Sequence, residues 1–143
     1  MTADVPVTRD TGKPQALWYT EPGRCGLETV SLNEMQTGEV LVETLFSGIS
    51  RGTEGLVFRG DVPSSEWQRM RAPHQEGDFP FPVKYGYANV GRVIAGDPDL
   101  NGCLVFSLFP HQSVFTLPSM SCVPVPQGVS AERAVLAANM ETA

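Results

Sequence analysis

The sequence predicts a mainly β fold, a small and partly open barrel of short strands with a few short helices. Twelve prolines and fourteen glycines are spread along 143 residues, which favours many turns between short strands over a helix bundle. About seven segments have the alternation or the β-branched and aromatic content of strands. A chain of this length buries one core, so we expect residues 1–13 to be a loose lead-in and residues 14–143 to be one folded domain.

The first strands are predicted before residue 47. Gln15–Tyr19 forms a strand that stops at the turn of residues 21–23, and Leu27–Leu32 alternates like a half-buried second strand. Glu39–Phe46 has the strongest strand pattern in the chain. One face of this strand is expected to carry Val40, Val42, Thr44 and Phe46.

The middle of the chain is predicted to hold short helices and an irregular stretch. Gly55–Arg59 has the pattern of a helical turn, and Ser64 begins a brief helix through Arg71. The buried side of that helix is expected to be Trp67 and Met70, because residues three apart share a helix face. Residues 72–82 contain three prolines and one glycine, so we expect them to be irregular.

The remainder is predicted to return to strands and to end in a helix. Val83–Ala95 has the pattern of a strand, a loop and a second strand, and residues 96–102 have turn chemistry. Ser130 is expected to cap a closing helix that is still helical in pattern at Ala143, which favours a chain cut from a longer one. Three further short strands are predicted at Leu104–Phe109, Val114–Leu117 and Cys122–Val125.

Charge and cysteine usage exclude several classes of protein. Ten basic and sixteen acidic residues give a net charge of −6, which makes nucleic acid and membrane surfaces poor partners. Cys25, Cys103 and Cys122 are odd in number and widely spaced, so we expect buried reduced thiols and not a disulfide framework or a cysteine-rich zinc site. No apolar segment has the length of a signal peptide or a membrane span, which predicts a cytoplasmic protein.

Two polar loops are the candidate functional segments. Phe46–Glu54 (FSGISRGTE) and Lys84–Val93 (KYGYANVGRV) each pack glycines, hydroxyls and charges into a few residues after a strand. From residue types alone, the first loop is equally well a simple turn in which Arg51 pairs with Glu54. Neither the dinucleotide fingerprint GxGxxG nor the nucleophile motif GxSxG occurs in the sequence.

The two histidines give no strong metal signal. A loop of His74, Glu76 and Asp78 has the residue types of a weak divalent-cation site, but a solvated acidic loop is the favoured interpretation. His111 lies between two predicted strands and is expected to be an ordinary surface histidine or one satisfied by its neighbours.

Five blocks in order resemble the medium-chain dehydrogenase/reductase superfamily. They are ALWY at 16–19, TGEVLVE at 37–43, SGISRGTE at 47–54, FPVKYGYANVGRV at 81–93 and LAANMETA at 136–143. Within that superfamily they are similar to the zinc-free, alcohol dehydrogenase-like branch that includes bacteriochlorophyllide dehydrogenase-like proteins. The resemblance implies a GroES-like catalytic domain over residues 14–143, with the cofactor-binding Rossmann domain absent from this chain and expected to follow its closing helix.

The resemblance also implies a site without zinc. Where zinc alcohol dehydrogenases have SGVCHTD and GHE, this chain places Ser50, Tyr87 and Ala88 at ligand and adjacent positions, and the third ligand cysteine falls at about Ala138. These residue types do not make a zinc site. Hydrogen-bond donors must then polarise the substrate oxygen, and Tyr87, Ser50 and Thr53 are the candidate catalytic residues.

The resemblance assigns cofactor contacts and a function as well. Arg51 matches a position that contacts the cofactor pyrophosphate in zinc relatives, and Thr142 matches a threonine that lies against the nicotinamide. The implied function is the substrate-side domain of a zinc-independent oxidoreductase that uses NAD or NADP and acts on a small or medium-sized alcohol, ketone or enone. Its expected partners are that substrate and its own Rossmann domain, and the isolated chain is expected to be inactive. The alternative is a GroES-like binding or assembly module with no redox role.

Overall fold

The computed structural model describes residues 12–142 and contains two antiparallel sheets. The predicted mainly β fold with short helices is confirmed. The strands are β1 (Gln15–Glu21), β2 (Arg24–Thr29), β3 (Glu39–Ser47), β4 (Glu76–Gly77), β5 (Val83–Lys84), β6 (Asn89–Ala95), β7 (Leu104–Ser107), β8 (Val114–Pro118) and β9 (Val123–Pro124). The helices are α1 (Thr53–Arg59), α2 (Ala131–Ala134) and α3 (Ala137–Thr142), with 3₁₀ turns at Ser64–Glu66 and Ser119–Ser121.

The larger sheet has the strand order β8-β3-β6-β7-β9 and carries one of the two cores. β3 lies between β8 and β6, and its Val42 lies opposite Val93 of β6 and Phe115 of β8. Val40 and Val42 are fully buried, as the alternation of the sequence predicts. Phe109 stacks on Phe115 with ring centroids 3.8 Å apart, which closes this core.

The smaller sheet has the order β2-β1-β5-β4 and packs against α1. Its core contains Tyr19 of β1, Val57 of α1 and Val83 of β5. Tyr85, which follows β5, belongs to the same cluster. Because Val57 anchors α1 in this core, the loop that leads from β3 into α1 is fixed at both ends.

Two of the strand predictions are wrong in burial or register. The second strand runs over Arg24–Thr29, earlier than predicted, and all six residues are exposed because β2 is an edge strand. Phe46 is 42% exposed instead of sharing the face of Val42. A register shift between Thr44 and Phe46 breaks the alternation there.

The helix predictions are only partly correct. The helix expected through Arg71 is a 3₁₀ turn at Ser64–Glu66, and Trp67 beyond it is 37% exposed. The indole of Trp67 donates a hydrogen bond to the Val62 carbonyl at 3.1 Å, which holds the ring at the surface. The closing helix is divided into α2 and α3, and the side chain of Ser130 makes no capping hydrogen bond.

Other expectations are also corrected. The stretch of residues 72–82 is not wholly irregular, because β4 pairs with β5 through Glu76 and Lys84. Cys25 is exposed and Cys122 is buried, so the expectation of buried thiols is wrong for Cys25. Residues 1–11 of the predicted lead-in lie outside the described residues, and within residues 12–142 the helices are too short to cross a bilayer.

Candidate functional site

The two polar loops lie side by side at one end of the larger sheet. The pairing of β3 with β6 runs as far as Ser47 and Asn89. Beyond it the Gly48 amide donates a hydrogen bond to the Ala88 carbonyl at 2.8 Å. A Cβ on Gly48 would lie 3.6 Å from that of Ala88, so the two loops are in direct backbone contact.

A cavity of about 560 Å³ lies between α1 and these loops. Its volume is within the range of small-molecule sites. Thr53 and Leu56 of α1 form one wall and Tyr85 and Tyr87 another. The remaining lining residues are Arg69, Met70, Arg71, Ala72, Pro73, Leu108, Ala138 and Glu141. The cavity is therefore mostly apolar, with hydroxyls and charged groups at a few points.

The two tyrosines of the cavity differ in burial and in the hydrogen bonding of their hydroxyls. Tyr85 is buried, and its hydroxyl donates to the Met70 carbonyl at 2.7 Å. Burial, with smaller contributions from Tyr87 and Glu54, raises the pKa of Tyr85 to about 12, so its hydroxyl keeps its proton. Tyr87 is half-buried and meets Tyr85 edge to face at 6.3 Å. No hydrogen bond within residues 12–142 engages the Tyr87 hydroxyl.

The other predicted site residues are distributed unevenly around the cavity. Thr53 lines it, whereas Ser50 does not. Ser50 is half-buried, and its hydroxyl accepts a hydrogen bond from the Thr53 amide at 3.3 Å. Arg51 is exposed on the loop. The side chain of Thr142 lies outside the part of the chain that the structure describes.

Glu54 is the buried centre of the first loop. Its side chain is 1% exposed, and its Oε2 accepts a hydrogen bond from the Ser50 amide at 2.6 Å. Its Oε1 contacts His111 Nε2 at 2.5 Å and accepts from the Tyr19 hydroxyl at 3.1 Å. The pairing of Arg51 with Glu54 that the simple-turn interpretation requires is therefore wrong, because Glu54 points inward.

His111 is the functional candidate that the sequence did not identify. It is 7% exposed, and its Nδ1 lies 2.8 Å from the Ser47 hydroxyl. With Glu54 on the other ring nitrogen, both polar atoms of the imidazole are satisfied. Burial first, and then the charge and hydrogen bond of Glu54, raise the pKa of Tyr19, which keeps that phenol a donor to the carboxylate.

The residues of the predicted acidic loop have separate partners. His74 stacks on Phe109 at 5.0 Å, and the Glu76 carboxylate pairs with Lys84 at 3.1 Å. Asp78 pairs with Arg71 at 3.0 Å. Over residues 12–142 no group of three His, Cys, Asp or Glu side chains is arranged to hold a metal ion.

The positions of the family's zinc ligands carry poor metal donors here. Ser50 and Tyr87 offer hydroxyls, and Ala88 offers none and is 4% exposed. Zinc in proteins is held by thiolate, imidazole or carboxylate groups. This donor set does not fit a catalytic zinc ion.

Oxidoreductases are among the known proteins to which this chain is similar. No protein-family model matches the chain. The chain is 36% identical over 87 residues to 2-desacetyl-2-hydroxyethyl bacteriochlorophyllide A dehydrogenase from Cereibacter sphaeroides. That match covers 59% of this chain and 23% of the relative.

Solved structures share the fold at low identity. A short chain alcohol dehydrogenase from E. coli CFT073, complexed with NADH, matches 87% of this chain with a TM-score of 0.63 and 14% identity. The resemblance to the medium-chain dehydrogenase/reductase superfamily is confirmed. A quinone oxidoreductase from Thermus thermophilus, also solved with NADPH, matches 85% of this chain with a TM-score of 0.53 and 22% identity. The matches cover 42% and 35% of the chains of those two proteins.

Proposed function

We propose that this chain is the substrate-side domain of a zinc-independent, NAD(P)-dependent oxidoreductase. The observation that carries the proposal is that Thr53 and Tyr87, from two separate loops, line one ligand-sized cavity. The curated relative is a dehydrogenase, and the two similar structures are oxidoreductases solved with NADH or NADPH. The substrate is a small alcohol, ketone or enone, and the cytoplasm is the proposed location.

Tyr87 is the residue that we propose to polarise the substrate oxygen. Its half-buried hydroxyl has no competing hydrogen bond within the described residues, whereas the Tyr85 hydroxyl is occupied by the Met70 carbonyl. A donor placed at the edge of a mostly apolar cavity stabilises developing negative charge more strongly than one in water. Thr53 supplies a second hydroxyl, and Ser50 acts by holding the Thr53 amide.

The cofactor would contact this chain through Arg51 and Thr142. Arg51 is exposed, two residues before Thr53 of the cavity wall, and a guanidinium forms bidentate hydrogen bonds with phosphate oxygens. A nicotinamide dinucleotide supplies hydride transfer when bound, and this chain orients the substrate and its oxygen. The dinucleotide itself would be held by a Rossmann domain that follows residue 143.

The test begins with the reading frame that encodes this chain. A strand followed by GxGxxG within roughly 20–40 residues after Ala143 would support the proposal, because this motif opens the dinucleotide-binding unit. The full protein is then expected to oxidise NADH or NADPH in the presence of a suitable ketone or enone. A stop codon directly after Ala143 would contradict the proposal and favour a binding or assembly module.

Metal analysis tests the zinc-independent part separately. The purified full protein is expected to contain no stoichiometric zinc and to keep its activity after treatment with a chelator. Tightly bound zinc in a one-to-one ratio, lost together with activity, would refute this part of the proposal.

A further inference from the structure

His111 touches both loops of the candidate site, although it belongs to neither. We propose that His111 is a positioning residue that couples the loop of residues 46–54 to the loop of residues 84–93. One arm of the coupling runs through Glu54, and the other through direct contact with Gly86. The inference rests on the proposed function for its catalytic consequence, but the coupling itself is measurable without any activity.

The first arm sets the position of Ser50. His111 Nε2 contacts Glu54 Oε1 at 2.5 Å, and the other carboxylate oxygen of Glu54 accepts from the Ser50 amide at 2.6 Å. The carboxylate is 1% exposed, so water does not replace either contact. A carboxylate rotates as one plane, and a change at Oε1 therefore moves the acceptor of the Ser50 amide.

The second arm reaches the residue before Tyr87. Gly86 has φ +136°, and a Cβ built on it would lie 2.9 Å from both Nε2 and Cδ2 of His111. The imidazole thus rests against the Gly86 backbone with no room for a side chain. A displaced ring would release or push that backbone, and with it the backbone of Tyr87.

His111 is a suitable link because its own backbone is fixed. Its carbonyl accepts a hydrogen bond from the Leu17 amide of β1 at 2.9 Å. The next residue, Gln112, is buried and accepts from Lys84 Nζ at 2.7 Å through its side chain. The ring therefore moves only by rotation about its side-chain bonds, and that rotation changes both arms together.

Two conservative substitutions distinguish the Glu54 contact of the imidazole from its Ser47 contact. His111→Gln places a polar group near the position of Nε2 and keeps a donor to Glu54, whereas His111→Asn is shorter and reaches only toward Ser47. Ser47→Ala is the matched control, because it removes the contact at Nδ1 and leaves the contact at Glu54. Each variant is made in this chain, labelled with ¹⁵N, and the backbone amide resonances are compared.

The variants are expected to differ in which backbone amide resonances shift. His111→Asn shifts the amide resonances of both Ser50 and Tyr87 more than those of residues outside the two loops, and His111→Gln restores most of the shift at Ser50. Ser47→Ala leaves the Tyr87 amide in place. Shifts confined to the neighbours of His111, equal in His111→Asn and Ser47→Ala, would overturn the coupling.

Gly86→Ala gives a second and independent test. In the wild-type background the new methyl collides with the imidazole, and the Ser50 amide on the other loop is expected to shift. In a His111→Ala background the imidazole is gone, and only the positive φ of Gly86 and the 3.2 Å approach to the backbone nitrogen of residue 111 remain, so the same substitution shifts the Ser50 amide much less. An equal shift in both backgrounds would refute transmission through His111.

The catalytic consequence is read in the full enzyme. His111→Asn is expected to lower kcat about tenfold or more, because small misplacements of polarising groups are costly to the rate. His111→Gln recovers most of that loss. If the amide shifts occur but kcat is unchanged in both variants, the coupling stands and its catalytic role is refuted, whereas an inactive wild-type enzyme refutes the proposed function instead.

Discussion

Replacement of Glu54 by leucine tests how much the buried carboxylate stabilises the protein. The substitution removes the acceptor of three groups at once, namely the Ser50 amide, the Tyr19 hydroxyl and the His111 ring. Hydrogen bonds to a charged group contribute about 1.5–3 kcal/mol each, and donors left buried without a partner add to the loss. With allowance for relaxation and water entry at the half-buried Ser50, we expect Glu54→Leu to lower the free energy of unfolding by roughly 3–6 kcal/mol.

Urea denaturation followed by tryptophan fluorescence measures this change. For a small domain with a slope of about 1–3 kcal/mol per molar urea, the midpoint should fall by at least about 1 M. Glu28→Gln on the exposed edge strand β2 is the matched control and should stay within about 0.5 kcal/mol of the wild type. A Glu54→Leu protein within about 1 kcal/mol of the wild type would refute the view that this carboxylate organises the loop.

Three further predictions concern packing, pH and thiol chemistry. Gly91→Ala should cost about 2 kcal/mol or more of unfolding free energy, because its Cβ would lie 2.5 Å from a Val42 methyl, and an unchanged denaturation midpoint would contradict this. Burial lowers the pKa of His74, so the unfolded chain takes up the proton first and stability should fall as pH drops below about 6.5. His74→Asn, which tolerates the positive φ of 58°, should remove this part of the pH dependence, and an identical pH profile would count against it. A disulfide reagent should label exposed Cys25 faster than Cys122, whose pKa is raised by burial, and equal rates would disagree with the structure.

The fold was predictable where local patterns decide it. The alternation of Glu39–Phe46 predicted that Val40 and Val42 face the core, and both are fully buried. The same alternation failed at Phe46, because a register shift next to Thr44 depends on the partner strand and has no local signature. The exposure of β2 was likewise set by its place at the sheet edge, which the sequence of that strand does not encode.

The site was predictable only in part, for the same reason. The two loops were selected from local polar clusters and the family resemblance, and two of the residues proposed there, Thr53 and Tyr87, line the cavity. His111 was missed because its partners Ser47 and Glu54 lie 64 and 57 residues away in the chain. A single histidine between two strands carries no signal of such distant contacts. Pairing of Glu54 with Arg51 was one of two equally weighted interpretations of the loop, and the buried contacts of the carboxylate exclude it.

The kcat/KM of a Tyr87→Phe variant of the full enzyme shows whether the Tyr87 hydroxyl polarises the substrate oxygen. Tyr87 lines the cavity, and the substitution keeps the ring that packs against Tyr85 and removes only the hydroxyl. If this hydroxyl polarises the substrate oxygen in place of zinc, kcat/KM should fall by about a hundredfold or more, with unfolding stability unchanged. A kcat/KM within about twofold of the wild type would contradict this assignment, because the Tyr87 hydroxyl would then make no contribution to stabilising the transition state.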